Sequence, residues 1–346
     1  MARYHTVLAD YDDDLFDITP QTLDEMRETL AAVEAELAID QRRSEEAVLD
    51  MARDADFVMV QSVRPLLTAR VIAQLSQCRG IIRLGLGVDS VDVAAATEAG
   101  IPVSNVTDWC TDEVAEHAMA HMFACARRLT PLHTMIADGR WERDTAVPAF
   151  RIRGKTLGVI GFGRTGRAVA QRMSALGVTV LAYHPRQDAG TIAQHGAHKV
   201  SLDELLQRAD LISLHVPLTE ETHHMLDADA FAKMKDGVIL VNTSRGAVID
   251  ETALVAALCT GKVHSAGLDV MEQEPLPGDS PLRAFGNVTF TSHIASYSVE
   301  AVGTLYRDGA QIAADLLAGK WVSTVVNPEV RPKAEARWGK YRDDQS

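Results

Sequence analysis

The chain has 346 residues, enough for about two domains of ordinary size, and 47% hydrophobic against 24% charged residues is the balance of a chain with a full core. With 48 acidic and 34 basic side chains the net charge is −14, which counts against nucleic acid as a partner. No apolar run approaches the ~20 residues that span a bilayer, and the N-terminus leads directly into a strand-like Thr6–Ala9 without a leader, so no membrane role is expected and the expected location is the cytoplasm.

Apolar runs at Phe57–Val60, Ile81–Leu84 and Ile101–Val103 alternate with helical patterns near residues 21–38, 44–54, 68–76 and 91–99, which predicts parallel strands with crossover helices. A long periodic stretch from Asp112 to Ala137 follows, with Thr111 as its N-cap and Glu113 and Glu116 in its first turn, where the helix dipole favours negative charge. From Thr156 the alternation resumes. Strands are expected at Leu157–Ile160, Val178–Ala182, Leu211–Leu214, Val238–Val241, Ser265–Leu268 and Val288–Phe290, in one doubly wound sheet. The segment Ser298–Leu317 reads as a helix returning to the first domain, and residues 331–346, with few apolar groups, as a frayed or partner-packed tail.

Cys78, Cys110, Cys125 and Cys259 lie far apart without C-x-x-C spacing, which fits neither a zinc site nor a disulfide framework. The pair His223-His224 has no acidic or cysteine partner at ligand spacing, so no metal is expected.

The most informative segment is Gly161-Phe162-Gly163-Arg164-Thr165-Gly166, between the apolar run Leu157–Ile160 and the helical pattern Arg167–Ala175. At a strand-to-helix turn, Gly161 permits the tight bend, Gly163 lets backbone amides approach a pyrophosphate, and Gly166 lets the helix pack close to the strand. A dinucleotide site is the expectation. Three further segments, Asn242-Thr243-Ser244-Arg245-Gly246, Asp269 to Pro277, and Thr291-Ser292-His293-Ile294-Ala295-Ser296, each follow a predicted strand. They should gather at the carboxyl edge of the sheet, where open α/β sheets bind ligands.

With these four ordered motifs the chain resembles the D-isomer-specific 2-hydroxyacid dehydrogenase family from about residue 55 to 328. The stretch Arg83-Leu84-Gly85-Leu86-Gly87-Val88-Asp89, with Asn105-Val106 and Thr111–His117, looks closest to the C-terminal-binding-protein branch. The fold class expected is α/β in two domains. One is a Rossmann doubly wound parallel sheet over 107–296; the other is a smaller flavodoxin-like substrate domain from 1–106 and 297–330. The resemblance implies that Arg245, Glu274 and His293 hold the catalytic positions, and that a homodimer forms. It implies cofactor contacts at Gly161, Gly163, Arg164, Thr165, Gly166, Val216, Pro217, Thr243 and Asp269, the last facing the nicotinamide carboxamide. His215 matches a family motif at the cofactor edge, with structural packing an equal alternative. For the substrate it implies the backbone of Leu86-Gly87-Val88, with Arg83 and Arg64 as further contacts. The tryptophan that faces substrate in that branch is absent here; Ser296 stands in its place.

The residue types suit the chemistry. Oxidising a 2-hydroxy acid removes a hydride from carbon and a proton from oxygen, so an imidazole beside the hydroxyl takes that proton and returns it in reduction. A carboxylate on its other ring nitrogen fixes the tautomer, and a guanidinium holds the substrate carboxylate and polarises the carbonyl. NAD-selective Rossmann domains carry an acidic residue about twenty positions after the glycines. Here His184 takes its place and Arg186 follows, which removes the repulsion of a 2′-phosphate and favours NADP(H). Asp188 keeps NAD(H) open. The activity expected is hydride transfer between the cofactor and a small 2-keto or 2-hydroxy acid. The alternatives are an NAD(H)-sensing interaction protein of corepressor type, or phosphite oxidation on the same fold. The length argues against an appended regulatory domain.

Overall fold

Strand and helix alternate through nearly the whole chain in a computed structural model that describes residues 2–11, 18–61, 64–144 and 148–343. The first run is β1 (Tyr4–Asp10), α1 (Pro20–Ala31), β2 (Ala35–Ile39), α2 (Glu45–Ala52), β3 (Phe57–Val60), α3 (Ala69–Ile72), β4 (Gly80–Arg83), α4 (Val93–Glu98) and β5 (Val103–Asn105). The second is α5 (Thr111–Arg127), α6 (Leu129–Ala137), β6 (Thr156–Ile160), α7 (Arg164–Ala175), β7 (Thr179–Tyr183), α8 (Ala189–Gln194), β8 (Ala197–Lys199), α9 (Leu202–Arg208), β9 (Leu211–Leu214), α10 (Ala228–Lys233), β10 (Val238–Asn242), α11 (Glu251–Cys259), β11 (Val263–Leu268) and β12 (Val288–Phe290). The chain ends with α12 (Val299–Leu317), β13 (Lys320–Trp321), α13 (Arg331–Trp338) and β14 (Arg342–Asp343). Contacts divide it into two compact units, Met1–Trp109 with Tyr297–Ser346, and Cys110–Ser296.

In the first unit five parallel strands run in the order β2-β1-β3-β4-β5, the flavodoxin-like arrangement. Four of its helices start where a short polar side chain satisfies a free amide: Thr19, Ser44, Asp92 and Ser298 each accept from the amide three residues on. The α12 helix buries Leu305, Tyr306, Ala310 and Ala313, and packs on α1 and β4. The second unit has seven parallel strands in the order β12-β11-β10-β9-β6-β7-β8, with apolar cores on both faces. That is the doubly wound Rossmann arrangement, with the first strand, β6, central and the order reversing beside it. Among the described residues no helix is long and apolar enough to cross a membrane.

Four expectations need correction. The helical pattern read over 21–38 ends at Ala31; Glu34, at φ 60°, turns the chain, and Ala35–Ile39 pair with β1 as a strand. The stretch from Asp112 to Ala137 is two helices, broken at Arg128, whose backbone is left-handed (φ 54°, ψ 40°). Its N-cap is Cys110, and Thr111 is the first helical residue. The described part of the terminal segment is folded on its own unit: Arg337 donates to the carbonyls of Ala99 and Ser76, Lys333 pairs with Glu98 at 3.1 Å, and the Arg79 guanidinium lies 4.4 Å from the Trp338 ring. Its anchors are cations and an aromatic ring, which a search for apolar periodicity passes over.

Candidate active site

The register of the second sheet places every candidate loop on one edge. Tyr183, Ile160, Leu214, Asn242, Leu268 and Phe290 are aligned as successive neighbours across β7, β6, β9, β10, β11 and β12. The loops therefore begin level, at residues 184, 161, 215, 243, 269 and 291. At a strand spacing of about 4.8 Å, the β10, β11 and β12 loops start within about 10 Å of one another.

At the glycine loop, Gly161 has φ 94°, which a side chain resists, and a Cβ there would strike the His215 carbonyl. A Cβ on Gly166 would strike the Gly161 carbonyl and press on Val159 Cγ1 at 3.2 Å, so α7 depends on a glycine to lie this close to β6. Gly163 is the N-cap of α7, contributes no capping side chain, and faces open space. The start of α7, at Arg164, Thr165 and Gly166, is thus a place where an anion fits. Val216 packs beside Gly161, Pro217 follows it at the surface, and the Thr243 hydroxyl is buried without a hydrogen-bond partner. An orphaned hydroxyl and an uncapped helix start on the same edge are the donor set a dinucleotide uses.

After β7 the His184 ring caps its own turn: Nδ1 accepts from the amides of Arg186 and Gln187, both at 3.2 Å. Partial burial and the charges of Arg186, Arg167 and Lys199 hold its pKa below the ordinary histidine value, so the ring is neutral. Arg167 and Lys199 both donate to Gln187. The sequence reading missed these two cations because they come from α7 and β8. Asp188 caps α8, with Oδ1 and Oδ2 both on Thr191, which commits the carboxylate to the helix.

The catalytic candidates are carried by the loops after β10, β11 and β12. His293 Nδ1 lies 2.8 Å from Glu274 Oε2, and Glu274 Oε1 accepts from the Met271 amide at 3.0 Å. Burial pushes the Glu274 carboxyl up, but the His293 hydrogen bond and charge and the Met271 amide outweigh it, and the net shift is downward. The carboxylate is therefore ionised and orients the ring with Nε2 outward. His293 itself has φ 55°, a left-handed conformation that costs a non-glycine residue about 1–2 kcal/mol. Arg245 lies half-buried in a loop pinned by Asn242, whose Nδ2 donates to the Arg245 carbonyl at 2.9 Å and whose Oδ1 accepts from Ser244. A Cβ at Gly246 would strike the backbone of Met271 and Glu272, so the Arg245 loop lies directly against the Glu274 loop.

Asp269, 1% exposed, is the hub of the His293 loop. Its carbonyl accepts from the His293 amide at 2.8 Å; Oδ1 accepts from Thr291 Oγ1 at 2.6 Å and the Ile294 amide at 2.9 Å, and Oδ2 from the Ala295 amide at 3.0 Å. On α5, His117 Nε2 and His121 Nε2 both reach Thr291 Oγ1, at 2.9 and 3.1 Å. The sequence reading missed this network; the i, i+4 histidines of α5 were its only trace.

In the first unit, Arg83 is 8% exposed and donates to the Leu84 carbonyl, its guanidinium lying over Gly85. The Leu86-Gly87-Val88 loop is held by Asn105 Nδ2 on the Leu86 carbonyl at 2.6 Å. Arg64 is exposed, and the neighbouring Ser62 and Val63 lie outside the described residues. His215 pairs through Nε2 with Ser213 Oγ at 2.9 Å, and burial drives its pKa down to about 4. His224 does meet an acid, Glu272 at 3.0 Å, brought by folding from a distant loop. Among the described residues, however, no cluster of three or more His, Cys, Asp or Glu is arranged to hold a metal.

A doubly wound sheet with this glycine loop and an edge carrying arginine, glutamate and histidine on consecutive strands defines a Rossmann-type dinucleotide-binding protein. The family model described as D-isomer specific 2-hydroxyacid dehydrogenase, NAD binding domain, matches residues 119–295. The chain is 42% identical over 251 residues to the hydroxypyruvate reductase of Thermotoga maritima, covering 72% of this chain and 80% of that protein. It is 38% identical over 316 residues to the D-3-phosphoglycerate dehydrogenase of Archaeoglobus fulgidus, covering 91% of this chain and 59% of that one, so the chain spans little more than half of that relative. A solved glyoxylate reductase from Paecilomyes thermophila superposes with a TM-score of 0.84 at 29% identity, over 95% of this chain and 100% of that one. The chain belongs to the D-isomer specific 2-hydroxyacid dehydrogenase family.

Proposed function

We propose that the protein is a nicotinamide-dependent oxidoreductase that interconverts a small 2-keto acid and its D-2-hydroxy acid. The observation that carries this reading is the His293–Glu274 pair at 2.8 Å, which leaves Nε2 to exchange a proton with substrate oxygen. Arg245 anchors the substrate carboxylate and polarises the carbonyl; Glu274 fixes the tautomer and stabilises the imidazolium during oxidation. The bound cofactor supplies or accepts the hydride. Its pyrophosphate would rest on the amides around Gly161, Gly163, Arg164, Thr165 and Gly166, with Val216, Pro217 and Thr243 beside the rest of the molecule. Asp269 acts chiefly by holding the His293 loop. Leu86, Gly87 and Val88 offer backbone to the substrate carboxylate, with Arg83 and Arg64 as further cations.

NADP(H) is the preferred cofactor. Arg167, Arg186 and Lys199 surround a neutral His184, and no carboxylate takes the ribose-binding place. The protein acts in the cytoplasm, in keeping with four cysteines in no disulfide, and as a homodimer, for which exposed Leu129, Ile136 and Trp141 on and after α6 offer an apolar face. The test is a panel of 2-keto acids against NADPH and NADH, followed at the nicotinamide absorbance band. Turnover of at least one keto acid, faster with NADPH, is expected; none with either cofactor refutes the activity.

A further inference from the structure

The chemistry proposed above gives no task to the two α5 histidines, yet both reach one hydroxyl of the His293 loop. His121 is 3% exposed and lies on β11, where its ring atoms leave no room for a Cβ at Gly267. His117 sits one turn earlier, its side chain 25% exposed, with Nε2 3.7 Å from Asp269 Oδ1. Both Nε2 atoms bond Thr291 Oγ1, and that hydroxyl lies 2.6 Å from a buried carboxylate with no proton to give.

A count of protons fixes the direction of every bond. The Thr291 hydroxyl has a single hydrogen, and the Asp269 carboxylate can only accept, so that hydrogen goes to Asp269 Oδ1. Thr291 Oγ1 must then accept from both rings, which makes His117 and His121 Nε2–H tautomers. An oxygen that accepts two N–H bonds is a stronger donor through its own hydrogen. The Asp269 carboxylate is in turn bonded to the amides of residues 294 and 295, while its carbonyl holds the amide of His293. The left-handed backbone at His293 persists only if its surroundings impose it, and these bonds do so.

We propose that Thr291, His117 and His121 are positioning residues for the acid–base step: they lock the Asp269 carboxylate, which sets the loop that aims His293. The proposal rests on His293 being the acid–base group, and its test separates the two. Thr291→Val removes the hydroxyl at constant shape; Thr291→Ser keeps it. In keto acid reduction, Thr291→Val is expected to lose about tenfold in kcat, with KM for NADPH within about twofold, and Thr291→Ser to match the parent within about twofold. Amide hydrogen exchange at Ile294 and Ala295, which needs no turnover, should be about tenfold faster in Thr291→Val only. Should that variant fail to fold, His117→Leu, on the partly exposed ring, gives the same comparison. Parental kcat in Thr291→Val, unchanged exchange, or Thr291→Ser as slow as Thr291→Val overturns the proposal. A parent that reduces no keto acid, while exchange still quickens in Thr291→Val, refutes the enzymatic reading and leaves the loop lock standing.

Discussion

Lowering the pH from about 7 to about 5 should destabilise the protein through His121, and the size of the effect follows from its burial. Desolvation, then the neighbouring His117, bring its pKa from the ordinary 6.5 to about 4, against a smaller opposing pull from Asp269. A histidine with a depressed folded pKa contributes stability that is fully present above 6.5 and is lost as the pH falls toward 4, because the unfolded chain binds a proton that the folded chain refuses. At pH 5 the unfolded ring is almost fully protonated and the folded ring almost wholly neutral, and linkage gives a loss of about 2 kcal/mol. His215, lowered to about 4 by burial alone, adds a similar amount. The assay is urea unfolding followed by circular dichroism at both pH values for the parent and for His121→Gln, whose amide can still donate to Thr291. The substitution should reduce the acid-induced loss by about 2 kcal/mol. A variant with the same loss as the parent would show that His121 is not held neutral, and the reasoning from burial would fail.

Arg245→Ala and His293→Ala should each lower kcat/KM about a hundredfold or more, and near-parental turnover by either variant would remove its assigned role. Glu274→Gln should cost about tenfold in kcat; since the carboxyl of Glu274 is held below the ordinary range, the parent's activity should persist down to acid pH before its protonation disrupts the pair. Arg186→Ala and Lys199→Ala should raise KM for NADPH about tenfold and leave that for NADH within about twofold; equal effects on both cofactors would deny a phosphate contact. Gly166→Ala places a methyl group against the Gly161 carbonyl and should destabilise the second unit by about 2 kcal/mol or more, read as a lower urea midpoint.

What the sequence made legible followed from periodicity and from glycine. Buried parallel strands are short apolar runs, so β3, β4, β6, β9 and β10 stood out, and the loops after β10, β11 and β12 carried the arginine, glutamate and histidine in chain order. Local patterns failed where long-range pairing decided the structure. Ala35–Ile39 became a strand because β1 offered it an edge, and Arg128 broke a continuous helical pattern through a left-handed turn. At the site, contacts between distant segments stayed hidden. Arg167 and Lys199 meet at Gln187 from different elements, and Asp269 was expected at the nicotinamide although most of its hydrogen bonds serve the His293 loop. A single chain shows which residues follow a strand, not which side chains converge behind it.

The first unit is assembled from two stretches of chain separated by the whole of the second. During synthesis, strands β1 to β5 emerge long before α12, whose Gly309 is pressed so closely on Leu84 that a Cβ there would clash. The apolar flank of β4 that this helix covers must wait, unshielded, while nearly two hundred intervening residues leave the ribosome. The inserted unit, by contrast, is continuous and complete as soon as Ser296 has emerged. Nascent chains stalled just before and just after α12 should therefore differ in chaperone capture, with the shorter one held more strongly.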